Sequence, residues 1–134
     1  MIYLDSSAVM KLVRAESETG ALREWLEEHS AEPLVTSALG HIEVLRAARR
    51  VDEPTAAQAR AVIDVFDLVP LDRAVQDRAC GIGSALLRTL DALHLASALL
   101  IKSDVSSFVS YDVRLAEAAA DAGLPVMAPG QTAH

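Results

Sequence analysis

The chain predicts an α/β fold in three layers, a parallel sheet of four to five strands between helices. Two observations predict it. Short apolar runs recur along the sequence, and each is followed by a longer stretch whose apolar positions keep helical spacing. Strands that alternate with helices pair in parallel and need cover on both faces.

Ile2-Tyr3-Leu4 is the first strand and ends at Asp5. Ser6 and Ser7 are placed to cap the next helix, whose apolar positions include Val9, Met10 and Val13. A second helix is expected over Ser17–His29, because Leu22, Trp25 and Leu26 fall at i, i+3 and i+4, and Glu32-Pro33 breaks the pattern. Leu34-Val35-Thr36 is the second strand. Ser37 opens a helix with Leu39, Ile42 and Leu45 on one face, and Pro54 starts another through Ala59, Val62, Ile63 and Phe66, so 38–66 reads as a helical hairpin.

Asp67-Leu68-Val69-Pro70-Leu71 is the third strand, expected toward an edge of the sheet, and Asp72 caps a helix through Val75, Ala79 and Ile82 that weakens at Gly81 and Gly83. From Asp91 to Lys102 a helix carries Leu93, Leu95, Ala96, Leu99 and Leu100, apolar over much of its circumference. Phe108-Val109-Ser110-Tyr111 is the fourth strand. Asp112 caps a helix with Leu115, Ala118 and Ala119, Gly123 ends it, and Leu124-Pro125-Val126-Met127 is a short edge strand. Residues 1–127 form a single domain and 128–134 a loose tail, with no repeat or linker.

Composition narrows the class. A chain of 134 residues suits one domain, which buries roughly two thirds of the surface its unfolded form exposes. With 51% hydrophobic and only 4% aromatic residues, the core falls to Leu, Val, Ile and Ala, and disorder is excluded. Cys80 is the only cysteine, so a disulfide framework and a thiolate zinc site are excluded. Its place between Ala79 and Gly81 in an apolar helical stretch predicts a buried thiol, in keeping with a reducing cytoplasm. A strand begins almost at once, without a basic leader, and the longest apolar stretch, near Leu93–Ile101, is broken by His94 and too short to cross a bilayer. The expected location is cytoplasmic, off the membrane.

The net charge of −7 repels polyanions and counts against nucleic acid. That objection weakens if several acids share one site and a metal neutralises them, leaving Arg46, Arg49 and Arg50 to line an approach.

Four carboxylates stand where such a fold can aim side chains at one spot. Asp5 and Asp112 each follow a strand, Asp91 opens a helix and Glu43 lies within one. In open parallel sheets, ligands bind outside the carboxyl ends of the strands where strand order reverses. Two carboxylates about 4 Å apart repel by roughly 4 kcal/mol at an effective dielectric of about 20, so convergence of three or four calls for a cation. Oxygen-only ligands favour Mg²⁺ or Mn²⁺ over zinc.

Each acid also has a plain structural duty open to it. Asp91 and Asp112 are good N-caps, and Glu43 can pair with Arg46 at i+3 and Arg50 at i+7 on a solvated face. Asp5 has no obvious duty beyond capping. Asp72 also follows a strand and serves as a control. His94 is a packed core histidine or a proton shuttle, with the core role expected. Trp25 is core or interface. Ser6, Ser7 and Ser110 can orient the carboxylates or water, although capping equally explains the first two. The arginine cluster is a solvated face, a helix end, or a phosphate contact.

Together, Ile2-Tyr3-Leu4-Asp5-Ser6-Ser7, His41-Ile42-Glu43-Val44, Asp91-Ala92-Leu93-His94-Leu95-Ala96 and Phe108-Val109-Ser110-Tyr111-Asp112-Val113-Arg114-Leu115-Ala116 resemble the PIN-domain ribonucleases. The compact chain is most similar to the VapC toxins of bacterial toxin–antitoxin pairs, from Met1 to about Met127. Ser110 departs from the family, which more often has Thr there, and keeps the hydroxyl. The resemblance implies a PIN-like fold with sheet order 3-2-1-4-5. It also implies a Mg²⁺ or Mn²⁺ pocket formed by Asp5, Glu43, Asp91 and Asp112, and hydrolysis of RNA phosphodiester bonds by metal-activated water. In that scheme Asp5 and Asp91 are the principal ligands, Asp112 is a ligand or a water-mediated contact, and Glu43 orients the attacking water or a second metal. A homodimer and a cognate VapB-type antitoxin covering the groove are also implied, with Leu22, Trp25, Leu26 and the 38–66 hairpin as contact surfaces.

Other classes fit less well. A phosphoacceptor signalling domain using Lys102 expects an acidic pair after the first strand, where Ser6-Ser7 stands. A haloacid-dehalogenase-type phosphatase wants a second Asp where Ser7 sits. Retention of all four acids argues against a non-catalytic PIN-like module that only binds partners.

Overall fold

The computed structural model describes residues 1–131. Along the chain run β1 (Ile2–Leu4), α1 (Ser6–Val13), α2 (Thr19–Glu28), β2 (Leu34–Ser37), α3 (Ala38–Arg49), α4 (Glu53–Ile63) and β3 (Asp67–Val69). Then come α5 (Arg73–Gly81), α6 (Thr89–Leu100), β4 (Ser107–Val109), α7 (Val113–Asp121) and β5 (Val126–Met127). The five strands pair in parallel throughout, in the order β3-β2-β1-β4-β5.

β1 is central because its three residues are apolar on both faces, and all three are wholly buried. Pleating divides them: Ile2 and Leu4 pack with Val9, Leu12, Val44 and Ile63 from α1, α3 and α4, whereas Tyr3 packs with Leu95, Phe108 and Leu115 on the α6 and α7 side. Burying each such large side chain stabilises by roughly 1.5–3 kcal/mol. β3 lies at an edge as expected, and its Leu68 is exposed. Strand order reverses at β1, since β2 and β3 lie to one side and β4 and β5 to the other. The carboxyl ends of β1 and β4 therefore flank the natural cleft.

Several boundaries differ from expectation. Asp5 itself caps α1, its Oδ1 accepting from the Ala8 amide, so Ser6 and Ser7 fall inside the helix and their hydroxyls are not caps. The helix expected from Asp91 starts at Thr89, with extended Arg88 at the cap position, which places Asp91 in the first turn with its carboxylate free of capping. Cys80 is exposed. On α5 the inward row is Val75 and Ala79, and a residue one step from Ala79 is turned about 100° away from it. Leu22 is wholly buried and cannot form a contact surface, while Trp25 and Leu26 are partly buried beside it. Of the expected tail, Pro129 is docked, its carbonyl accepting from the Tyr111 hydroxyl at 2.7 Å; residues 132–134 lie outside the described residues. No described helix is long and apolar enough to cross a membrane.

Candidate active site

Asp5 leaves β1 with its amide bonded to the Val109 carbonyl at 3.1 Å, which continues the ladder one residue past the strand. Its carboxylate is only 2% exposed. Oδ1 accepts from Ser7 Oγ at 2.6 Å and from the Ala8 amide at 2.9 Å, and Oδ2 accepts from Ser110 Oγ at 2.6 Å. The two serines are themselves fixed by the turn after β4, since Ser7 Oγ accepts from the Tyr111 amide and Ser110 Oγ from the Asp112 amide. Burial pushes the Asp5 carboxyl above its ordinary range, against the pull of Ser110, Ser7 and Ala8.

Asp112 caps α7 through Oδ1 and the Leu115 amide at 3.1 Å. Asp91, one helix away, is raised by burial and then by the Asp112 charge, with Asp5 adding to it and His94 and Arg88 opposing. The three aspartates thus share one electrostatic neighbourhood. Among the described residues no lysine or arginine forms a salt bridge with any of them. Glu43 reaches the same region from α3, where its Oε1 lies 2.7 Å from His94 Nε2.

The acids face one another without closing on a point. Among the described residues no three His, Cys, Asp or Glu side chains are grouped tightly enough to hold a metal ion as they stand. Each acid is turned to local partners: Asp5 accepts from three neutral donors, Asp112 caps its helix, and Glu43 pairs with His94.

Two depressions flank the acids. One of about 430 Å³ holds Ser6, Ser7, Glu43, Arg46 and Arg50; Arg49 is exposed and is not part of its lining. The other, about 560 Å³, is lined by Asp91 together with Arg88, Arg114, Glu117 and Asp121 over an apolar floor. Those two arginines escaped the sequence reading, although each lies within three residues of a predicted site acid. The control, Asp72, caps α5 through the Val75 amide at 3.1 Å. Lys102 donates to the Ala122 carbonyl at 2.9 Å, which leaves the signalling alternative without its lysine at Asp5. His94 is 2% exposed, as a core histidine should be, but its bond to Glu43 gives it a neighbour in the site that spacing alone did not reveal.

Acids gathered around the switch point of a parallel sheet, with arginines beside them, suit chemistry on a phosphodiester. The family model for the PIN domain matches residues 2–121. Ribonuclease VapC47 of Mycobacterium tuberculosis (strain CDC 1551 / Oshkosh) is 42% identical over 133 residues, covering 97% of this chain and 98% of the relative. Among solved structures, FitAB bound to an IR36 DNA fragment is similar with a TM-score of 0.77 at 17% identity, over 100% of this chain and 99% of that one. A toxin–antitoxin complex from Klebsiella pneumoniae has a TM-score of 0.68 at 20% identity, over 96% of this chain and 98% of that one. The last two are likenesses of fold.

Proposed function

This chain belongs to the PIN domain family, and from that premise we propose that it is a metal-dependent endoribonuclease, the toxin of a VapBC-type toxin–antitoxin pair. The observation that carries the reading is Asp5. A carboxylate this buried, accepting from two hydroxyls and an amide and raised above its ordinary range, forms no salt bridge among the described residues and shares its surroundings with Asp91. The donor set contains oxygen alone, which fits a hard dication.

Asp5 and Asp91, with Asp112 as a direct or water-mediated contact and Glu43 beside them, would hold Mg²⁺ or Mn²⁺, whose chemistry when bound is to neutralise phosphate charge and acidify water. Ser7 and Ser110 fix the Asp5 carboxylate at the end of β1. Glu43 orients the attacking water. Arg46 and Arg50 on one rim and Arg88 and Arg114 on the other hold the flanking phosphates, which lets an acidic protein take a polyanion. The RNA substrate is supported by the name of the relative above, and a cognate antitoxin by the neighbouring toxin–antitoxin complex. A homodimer belongs to the same reading.

A non-catalytic partner-binding module is the second reading, favoured by the fact that among the described residues no three ligands gather as they stand. One assay separates them. Purified chain free of any partner, incubated with structured RNA, cleaves it in Mg²⁺ or Mn²⁺ and stops in EDTA. Intact RNA under both ions would leave the binding module as the answer.

A further inference from the structure

We propose that Tyr3 and His94 form a buried relay that sets the position of the Glu43 carboxylate, with the imidazole held in one tautomer between them. The proposal rests on the nuclease reading above. Tyr3 sits in the middle of the central strand, fully buried, its ring parallel to that of Phe108 at a centroid separation of 5.2 Å. Its hydroxyl lies 2.8 Å from His94 Nδ1, and His94 Nε2 lies 2.7 Å from Glu43 Oε1. A carboxylate can only accept, so Nε2 carries the proton of that contact; in the single tautomer the relay requires, Nδ1 is the acceptor and the phenol the donor. Burial and the Asp5 charge hold the phenol protonated, in keeping with that direction.

The fold makes room for the relay at one position. Gly40 stands one helical turn before Glu43, and a Cβ there would lie 2.6 Å from Thr36 Oγ1 and 3.3 Å from His94 Cε1. Only a residue without a side chain lets α3 bring Glu43 up to the imidazole in this way.

A buried histidine needs a hydrogen-bond partner at each ring nitrogen. Here the second partner is 26% exposed and faces the cleft with Ser6, Ser7 and Arg46. A glutamate on a helix surface ordinarily samples several rotamers, and tying Oε1 to a ring packed in the core selects one of them. Outer partners of this kind orient the groups that do chemistry, and their loss typically costs 10–100-fold, a scale taken here as roughly the expected range. His94 and Tyr3 are thus positioning residues, acting through Glu43.

The test combines kinetics with the imidazole's own spectrum. Tyr3→Phe should lower kcat about tenfold with KM within about twofold, the worth of one hydrogen bond. His94→Leu should lower kcat by on the order of a hundredfold, and His94→Gln, which keeps an N–H donor for Glu43, should recover most of it. In a Glu43→Gln background, Tyr3→Phe should leave the residual rate unchanged, because the two changes act on one chain of contacts. Nitrogen resonances of His94 should report a single Nε2–H tautomer in the unmodified chain and a mixture in Glu43→Gln. An equal rate loss from Tyr3→Phe in both backgrounds, or mixed tautomers in the unmodified chain, overturns the relay. If the unmodified chain cuts no RNA, the nuclease reading fails by itself, and the relay is then decided by the spectrum alone.

Discussion

Ser110 donates its hydroxyl to Asp5 Oδ2 at 2.6 Å and accepts from the Asp112 amide at 3.1 Å, so one small side chain joins acids from opposite ends of the chain. Ser110→Ala should cost about 1.5–3 kcal/mol of stability, the worth of a hydrogen bond to a charged group, and push the Asp5 carboxyl higher still. Ser110→Thr keeps the hydroxyl and should fold with near-original stability. Chemical denaturation of the three chains checks this, and a neutral Ser110→Ala would show that the bond holds nothing in place.

Asp5→Asn should slow RNA cleavage about a thousandfold, the size expected when a principal ligand is lost. Asp72→Asn, which retains a capping oxygen, should leave the rate nearly unchanged. Thermal melts give an independent readout. Mg²⁺ or Mn²⁺ at about 100 times its Kd should stabilise the unmodified chain by roughly 2.7 kcal/mol and Asp5→Asn hardly at all. Equal ion-induced shifts in both chains would remove Asp5 from the ion's coordination.

Arg46 and Arg50 line the depression beside Glu43, and Arg49 does not. Arg46→Gln and Arg50→Gln should each raise KM for RNA several-fold with little change in kcat, and lower the slope of log affinity against log salt by about one. Arg49→Gln should do much less. A comparable effect from Arg49 would mean that the whole helix face, and not the cleft, attracts RNA.

Lys11 donates to Glu18 at 2.9 Å and Glu16 at 3.1 Å and stands 4.8 Å over the Tyr111 ring. Its hydrogen bond lowers the Glu18 carboxyl below the ordinary 4.5. An acid lowered in the folded state contributes stability above its unfolded pKa and loses it as pH falls through the folded value. The stability gap between the unmodified chain and Lys11→Met should therefore hold steady from about pH 7 to 5 and narrow below about 4.5. Urea melts across that range measure it, and a gap that persists at about pH 3 would assign Lys11 a packing role only.

The strands, their alternation with helices and the four acids are readable from the residues because each depends on short local patterns. Ile2-Tyr3-Leu4 is apolar at every position, which suits a strand covered on both sides, and Asp5 follows it directly. What could not be read depends on the partner surface. Asp91 looks like a cap because Asp is a favoured cap, yet Arg88 takes that position once Thr89 and Leu90 join the helix. Cys80 looks buried among Ala79 and Gly81, but the face of α5 that meets the core carries Val75 and Ala79. The link from Tyr3 through His94 to Glu43 crosses three elements and has no local signature. Whether acids that share a neighbourhood also close on an ion depends on rotamers, and no pattern in a sequence records those.

The order of β1 between β2 and β4 has a consequence for biosynthesis. Asp5 leaves the ribosome 105 residues ahead of its clamp Ser110, and β1 likewise precedes by far the strand that pairs with it through Tyr3 and Phe108. Pairings this distant in sequence form late in folding. A nascent polypeptide that has not yet delivered β4 carries Asp5 on an unsupported strand, so the acidic centre is assembled only after Ser110 has been made.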